Sequence, residues 1–249
     1  RSVVSGVIGA DTGRNLWLSS NTFNASTLNV RTDYGVKATF TPGISVPEWG
    51  ATDATRIHTT GGSIEDGSNM KVYKSLVTMP PKGTHFVLSL WIKNQAEKRM
   101  QIQPNEPIIN DDSGWVEPGE SKRLVLAIEA SGLSNFQCRF HTESAEDEMD
   151  VVVWRGKAEE GTTATPWSPA PEDGIDQTLT LTCPCDRMRV IPTIMTDGAV
   201  NIIYGSTSVD VSKGTFQFTN LIFSEGENVL EVTGKQGTTV SVRYQEGAI

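Results

Sequence analysis

Several things are scarce in this 249-residue chain. It has only three cysteines, Cys138, Cys183 and Cys185. That is too few for a disulfide framework and fits a chain made in a reducing cytoplasm. Histidine is as rare, with His58, His85 and His141 in separate segments. No apolar run approaches the roughly 20 residues of a membrane-spanning helix. The opening Arg1-Ser2-Val3-Val4-Ser5-Gly6 has no apolar core of a signal peptide. Apolar residues make up 37% and charged residues 20%, both low for a globular chain. Basic excess is absent too: the net charge is −9, which argues against nucleic-acid binding and against anionic membranes. Heptads and amphipathic helices longer than two turns are missing, which excludes bundles and coiled coils.

Thr, Ser, Asn and Gly fill the gap. Thr suits strands, and Gly and Asn suit turns, so the composition predicts an all-β protein. The length suits two domains. The boundary is written in Gly161-Thr-Thr-Ala-Thr-Pro-Trp-Ser-Pro-Ala-Pro-Glu-Asp-Gly174. Pro166, Pro169 and Pro171 remove backbone donors and keep this stretch out of a sheet. It should run extended, with Trp167 pinned to the first domain. Residues 1–14 then read as a leader or a connection to an upstream segment, and 15–160 as a jelly-roll β-sandwich. Residues 161–175 read as a Pro-rich linker, and 176–249 as a small β-sandwich that docks to a neighbour. Charge does not separate the parts: residues 172–249 carry −5 and the rest −4.

Strand patterns recur through the first domain. Asn29–Phe40 alternates weakly, and Met70–Met79 carries Val72, Leu76 and Val77. His85–Lys93 sets Phe86, Leu88, Leu90 and Ile92 against Val87 and Trp91. Arg99–Gln103 and Lys122–Ile128 follow, then Asn135–His141 with Phe136, Cys138 and Phe140 at period two. Asp150–Arg155 closes the set. The second domain shows Gln177–Thr182, Met188–Ile194, Ala199–Tyr204, Gly214–Phe223, Asn228–Thr233 and Thr238–Tyr244. Many short strands split by turn residues imply sandwiches or jelly rolls.

Motifs for chemistry are few. There is no Gly-x-Ser-x-Gly elbow, zinc-binding His-Glu-x-x-His or phosphate loop. Cys183-Pro-Cys185 lacks redox spacing and reads as structural thiols on a strand. Each histidine reads as a strand-end residue. Glycosidases need two carboxylates, and Asp111 with Asp112, or the run Glu143–Asp150, would have to supply them. A Gly-containing turn and a solvated hairpin tip are the plainer readings. Such acidic loops could also hold a structural calcium. No other cofactor is expected.

Trp91, Trp154 and Trp167 fall on or beside apolar strands and read as packing residues. Trp49 and Trp115 lie in polar, turn-rich loops. Each can cap a core edge or offer an apolar platform to a sugar ring. Asp53, Arg56, His58, Asp111 and Asp112 lie near enough in sequence to bond hydroxyl groups. This is a binding reading with no catalytic requirement.

The segment Asp150–Asp173 resembles the end of the carbohydrate-binding-module-like jelly roll of bacteriophage tail proteins. Lys157, Glu159 and Gly161 fill its Lys-x-Glu-x-Gly stretch, and Trp167, Pro169, Pro171 and Asp173 its exit. Phe86–Asn94 is similar to the family's central strand, and Asn15–Asn21 to its opening. Val190–Ile194, Gly226–Gly234 and Val242–Gly247 are similar to the closing β-domain of tail-tip and distal-tail components. The resemblance implies a non-enzymatic virion protein of the tail tip or baseplate, assembled in the host cytoplasm. It implies other virion proteins as partners, a homo-oligomer (trimer or hexamer), and a host-surface glycan as a ligand. It implies neither nucleic acid nor membrane insertion. Two other readings stand beside it. One is a head fibre or capsid decoration protein without ligand. The other is a binding module attached to a secreted glycosidase.

Overall fold

The computed structural model describes residues 2–10, 14–62, 69–76, 80–186 and 189–245. The strands are β1 (Ser2–Val7), β2 (Asn29–Val30), β3 (Lys37–Val46), β4 (Ala51–Thr60) and β5 (Met70–Ser75). They continue as β6 (His85–Asn94), β7 (Met100–Pro104), β8 (Trp115–Val116), β9 (Ser121–Glu129), β10 (Gln137–Thr142) and β11 (Met149–Glu160). The last are β12 (Gln177–Cys185), β13 (Thr193–Thr196), β14 (Val200–Tyr204), β15 (Thr207–Val211), β16 (Gly214–Gln217), β17 (Gly226–Gly234) and β18 (Thr239–Tyr244). Helix is limited to single 3-10 turns, such as Pro47–Trp49. The protein is all-β, as its Thr-rich composition predicts.

The chain forms two units: Arg14–Asp173, and Arg1–Gly13 joined with Gly174–Ile249. The division at Asp173 falls inside the Pro-rich stretch. The leader reading of residues 1–14 is corrected here. Ser2–Val7 is a strand of the second unit, paired with β18 from Ser2 opposite Tyr244 to Val7 opposite Thr239. Its pattern hid it: Val3 and Val7 point outward, Val4 inward, so no clean alternation marks a buried face.

The larger unit holds two antiparallel five-stranded sheets, ordered β2-β5-β10-β7-β8 and β3-β4-β11-β6-β9. We call them the Trp115 sheet and the Trp91 sheet. The chain crosses repeatedly between them, the habit of a jelly roll. One core joins both. The first sheet supplies Val72, Ile102, Val116, Cys138 and Phe140, and the second Ile57, Phe86, Leu88, Leu90, Ile92, Leu124, Leu126, Val151 and Val153. Burial lifts the Cys138 thiol far above its usual value, so it packs as a small apolar residue.

β4 was hidden in the sequence. Ala51-Thr-Asp-Ala-Thr-Arg-Ile-His-Thr-Thr60 has little apolar periodicity, and the stretch around Trp49 and Asp53 reads as a loop. Pairing with β3 and β11 makes it a strand all the same. β11 also runs beyond Arg155. A bulge between Trp154 and Lys157 shifts its register with β6 and places Arg155 at φ 49°. Gly156 follows, and a Cβ there would sit 3.0 Å from the Trp17 ring.

Buried polar groups fasten the ends of this unit. Asn15 is fully buried; its amide donates to Ser20 Oγ and to the Gly156 and Ser168 carbonyls. Its Oδ1 accepts from the Trp17 and Ala158 amides. Lys157 and Glu159 form a buried ion pair at 3.1 Å. Lys157 Nζ also donates to Thr165 Oγ1 and the Pro166 carbonyl, and Glu159 accepts both the amide and hydroxyl of Thr165. Burial pulls the Lys157 pKa down, and Glu159 opposes that pull. Residues 161–173 are therefore part of this unit rather than a free linker. Trp167 donates to Ser20 Oγ, and Pro169 is buried.

The smaller unit pairs two four-stranded sheets, β1-β18-β13-β16 and β12-β17-β14-β15. Ile8, Leu181, Ile194, Ile202, Phe223, Leu230, Val232, Val240 and Val242 form its core. Cys183 and Cys185 are buried on alternate positions of β12. Pro184 between them is tolerated because β12 is an edge strand. Burial pushes the Cys183 thiol up to about 11. The expected strands 188–194 and 214–223 are shorter, at Thr193–Thr196 and Gly214–Gln217. Val77–Met79 and Met188 lie outside the described residues.

Candidate functional site

Period-two alternation puts every second residue of a core strand on the outside. On the Trp115 sheet those residues can be read across the register. Asn29 lies opposite Tyr73, Tyr73 opposite Arg139, and Arg139 opposite Gln103. One step along, His141 lies opposite Gln101, and Gln101 opposite Trp115. Neighbouring strands are about 4.8 Å apart, so the first row spans roughly 15 Å. Two aromatic rings, three amide side chains, a guanidinium and an imidazole thus share one polar face.

Trp115 is held firmly. Gly114 at φ 74° brings β8 against β7, where a Cβ would lie 2.1 Å from the Ile102 carbonyl oxygen. Asp112 Oδ1 accepts from the Gly114 amide, and Lys122 Nζ donates to the Trp115 carbonyl. The Arg99 guanidinium stacks 4.3 Å from the ring centroid, and Glu143 holds Arg99 in turn. Among the described residues the indole N–H has no hydrogen-bond partner.

Other groups on this face are equally open. Neither the Tyr73 hydroxyl nor the Asn29 and Gln103 amides has a hydrogen bond among the described residues. Among the described residues Arg139 uses only Nε, donating to Gln137 Oε1 at 2.9 Å, and forms no ion pair. Gln101 donates to the Ser113 carbonyl.

His141 is buried, and its tautomer can be derived. The Asn69 amide nitrogen donates to the Thr142 carbonyl, which fixes Oδ1 as an acceptor. Nδ1 of His141 sits 2.8 Å from that oxygen and so carries the hydrogen. Nε2 is then a lone-pair acceptor, and it has no partner. Burial pulls the pKa down to about 4, with Arg139 and Arg31 adding to the shift. The neutral form of the imidazole is therefore the favoured one.

The structure separates the residues that sequence proximity grouped. Trp115, Asp111 and Asp112 belong to the Trp115 sheet and its preceding turn. Asp111 is exposed, and Asp112 serves that turn. Trp49, Asp53, Arg56 and His58 belong to the other sheet, where each has a structural partner. Trp49 is buried beside Trp91 and donates to Ser121 Oγ. Asp53 accepts from Trp154 Nε1 at 2.7 Å. Arg56 makes a two-pronged pair with Asp150. His58 lies 3.4 Å from Glu148. Arg155 stacks on both Trp154 and Trp167, at 4.0 and 4.9 Å. Among the described residues no three His, Cys, Asp or Glu side chains gather to hold a metal ion.

The sequence reading missed Asn29, Tyr73, Gln101, Gln103, Arg139 and His141. Their signal was available in the strands themselves. Once Phe136, Cys138 and Phe140 are the core side of β10, Gln137, Arg139 and His141 must be its outer side.

No family model matches the sequence, and no curated protein matches it. Some solved structures are similar to it. One is the N-terminal CBM22-1–CBM22-2 tandem domain of Paenibacillus barcinonensis Xyn10C, with a TM-score of 0.40 and 11% identity. That match covers 97% of this chain and 93% of the other. A second is the CBM22-1 xylan-binding domain of the same protein, with a TM-score of 0.39 and 14% identity. It covers 62% of this chain and 99% of the other. Such low scores carry no argument, and the site stands on its own residues.

Proposed function

We propose that this chain is a non-enzymatic glycan-binding protein whose outer Trp115-sheet face is the binding platform. One observation carries the reading. Trp115 and Tyr73 share that face with the Asn29 and Gln103 amides and the Arg139 Nη groups, which are unclaimed among the described residues. A sugar presents an apolar C–H face to an aromatic ring and hydroxyl groups to amides and guanidinium. The platform is also preformed, since Arg99, Lys122 and Gly114 hold Trp115 in place, and this lowers the ordering cost of binding.

In this reading the smaller unit docks the protein onto a repeating particle, the tail tip or baseplate of a phage virion. The motif at 150–173 supports that placement. So do four edge strands, β1, β16, β12 and β15, whose free backbone groups can pair with a neighbour. Ile203 and Val229 are exposed on the β12-β17-β14-β15 sheet and would be covered in an oligomer.

Retention on insoluble polysaccharides and on a glycan array tests the binding role. The wild type should bind at least one glycan, and Trp115→Ala or Tyr73→Ala should weaken it about tenfold or more. Binding unchanged by both substitutions would remove the face from consideration. Immunogold labelling of intact particles tests the virion role, and native mass spectrometry tests the trimer or hexamer.

A further inference from the structure

We propose that the glycan taken by the Trp115-sheet face carries a carboxylate, so that its ligand class is an acidic, uronate-bearing saccharide, with Arg139 as the group that reads the charge. The inference rests on the glycan-binding reading and narrows it.

The argument begins with charge pairing. Other arginines around this face are already committed. Arg31 grips Asp33 with two nitrogens and stacks 3.9 Å from the Tyr34 ring centroid. Arg99 is held by Glu143 and stacked on Trp115. Arg139 stands apart: it lies on β10, the middle strand of the sheet, with both terminal nitrogens free. Gln137 steadies Nε, leaving the Nη groups for a two-pronged contact. A carboxylate is the complement of that fork.

A second group points the same way. His141 lies two residues from Arg139 on the same strand, hence on the same face, at about 7 Å. Its Nε2 is a buried acceptor lacking a donor, a costly state in a folded protein. A saccharide hydroxyl would supply that donor once the side chains covering Nε2 move aside. Carboxylate and hydroxyl on one pyranose ring are separated by a distance of this order. Arg139 and Arg31 both disfavour the charged form of His141, and of the two only Arg31 is paired with a carboxylate, Asp33. Arg139 thus brings a positive charge without an ion pair among the described residues to this face, although the whole chain carries −9. Acidic groups elsewhere are screened beyond about 8 Å at physiological salt.

The test uses the full chain and a panel of polygalacturonate, alginate and glucuronoxylan. Each polymer is paired with its carboxyl-reduced form, which keeps the backbone and removes the charge. Affinity gel electrophoresis or calorimetry should show at least one acidic polymer bound about tenfold or more tighter than its reduced partner. R139Q should bring that ratio close to one while leaving the far-ultraviolet spectrum unchanged. R139K should restore part of it, since charge returns without the fork. Equal binding of acidic and reduced polymers, or a ratio that survives R139Q, overturns the inference and leaves glycan binding standing. No binding to any panel polymer, nor to neutral glucan or xylan, overturns both. Should R139Q fail to fold, the acidic-to-reduced ratio of the wild type still decides.

Discussion

The two sheets of the larger unit have outer faces built from similar residues and left in opposite states. The Trp91-sheet face carries more tryptophan, yet its polar groups are consumed internally. Trp49 donates to Ser121, Trp154 to Asp53, and Arg56 clasps Asp150. Lys93 holds Glu48, and Arg123 donates to the Thr165 carbonyl. The Trp115-sheet face carries fewer aromatics, but among the described residues the Tyr73 hydroxyl, the Gln103 amide, the Arg139 Nη groups and the Trp115 N–H remain unclaimed. The proposed reading thus assigns binding to the face with fewer aromatic rings. What distinguishes a receptive face is polar capacity that the fold has not spent on itself.

That contrast can be broken at its strongest point. Lys157→Met strips the partner from buried Glu159 and should destabilise the protein by about 3–5 kcal/mol. Urea denaturation reads this directly. A cost below about 1 kcal/mol would mean that the buried pair does not secure the Trp91-sheet side. Next comes a matched pair of tryptophans. Trp49→Ala empties a buried, hydrogen-bonded site and should cost about 3 kcal/mol. Trp115→Ala removes a half-buried ring and should cost about 1 kcal/mol while weakening the proposed glycan retention about tenfold or more. If Trp115→Ala proved the more destabilising, the two faces would have been assigned the wrong way round.

A pH series sharpens the open face. His141 has a folded pKa of about 4 against 6.5 when unfolded. The unfolded chain therefore binds the extra proton first as pH falls. Stability attributable to this group is complete above about pH 6.5 and is lost on the way down to pH 4, by up to about 3 kcal/mol. His141→Gln should flatten that part of the curve. The smallest effect belongs to the exposed ion pair. Arg56→Ala should cost under about 1 kcal/mol and less still in high salt. A larger, salt-independent loss would show that Arg56 and Asp150 do more than close the surface.

Much of this was legible before any fold was built. Strands with an apolar side, such as β6, β9 and β10, announce themselves because burial demands alternation. The Pro-rich stretch also marks where one unit ends. β1 and β4 did not show: β1 has valines on both sides, and β4 is mostly Thr, Ala and charged residues. The site was half legible. Trp115 stood out, whereas Tyr73, Gln103 and Arg139 look like ordinary polar positions until pairing aligns them. Long-range pairings were beyond reach. No local pattern links Trp154 to Asp53, or Arg56 to Asp150, about a hundred residues apart, so Asp53 and Arg56 looked available.

The pairing of β1 with β18 carries a mechanical consequence. Ser2 faces Tyr244 at one end of that ladder, and the chain departs for the larger unit only after Val7. A pull applied between Ser2 and Tyr244 is borne first by this one ladder, which must open like a zipper, rung after rung. Until it opens, tension does not enter residues 14–173. The larger unit is thus shielded from load by six residues that seemed, in the sequence, to be no more than a lead-in.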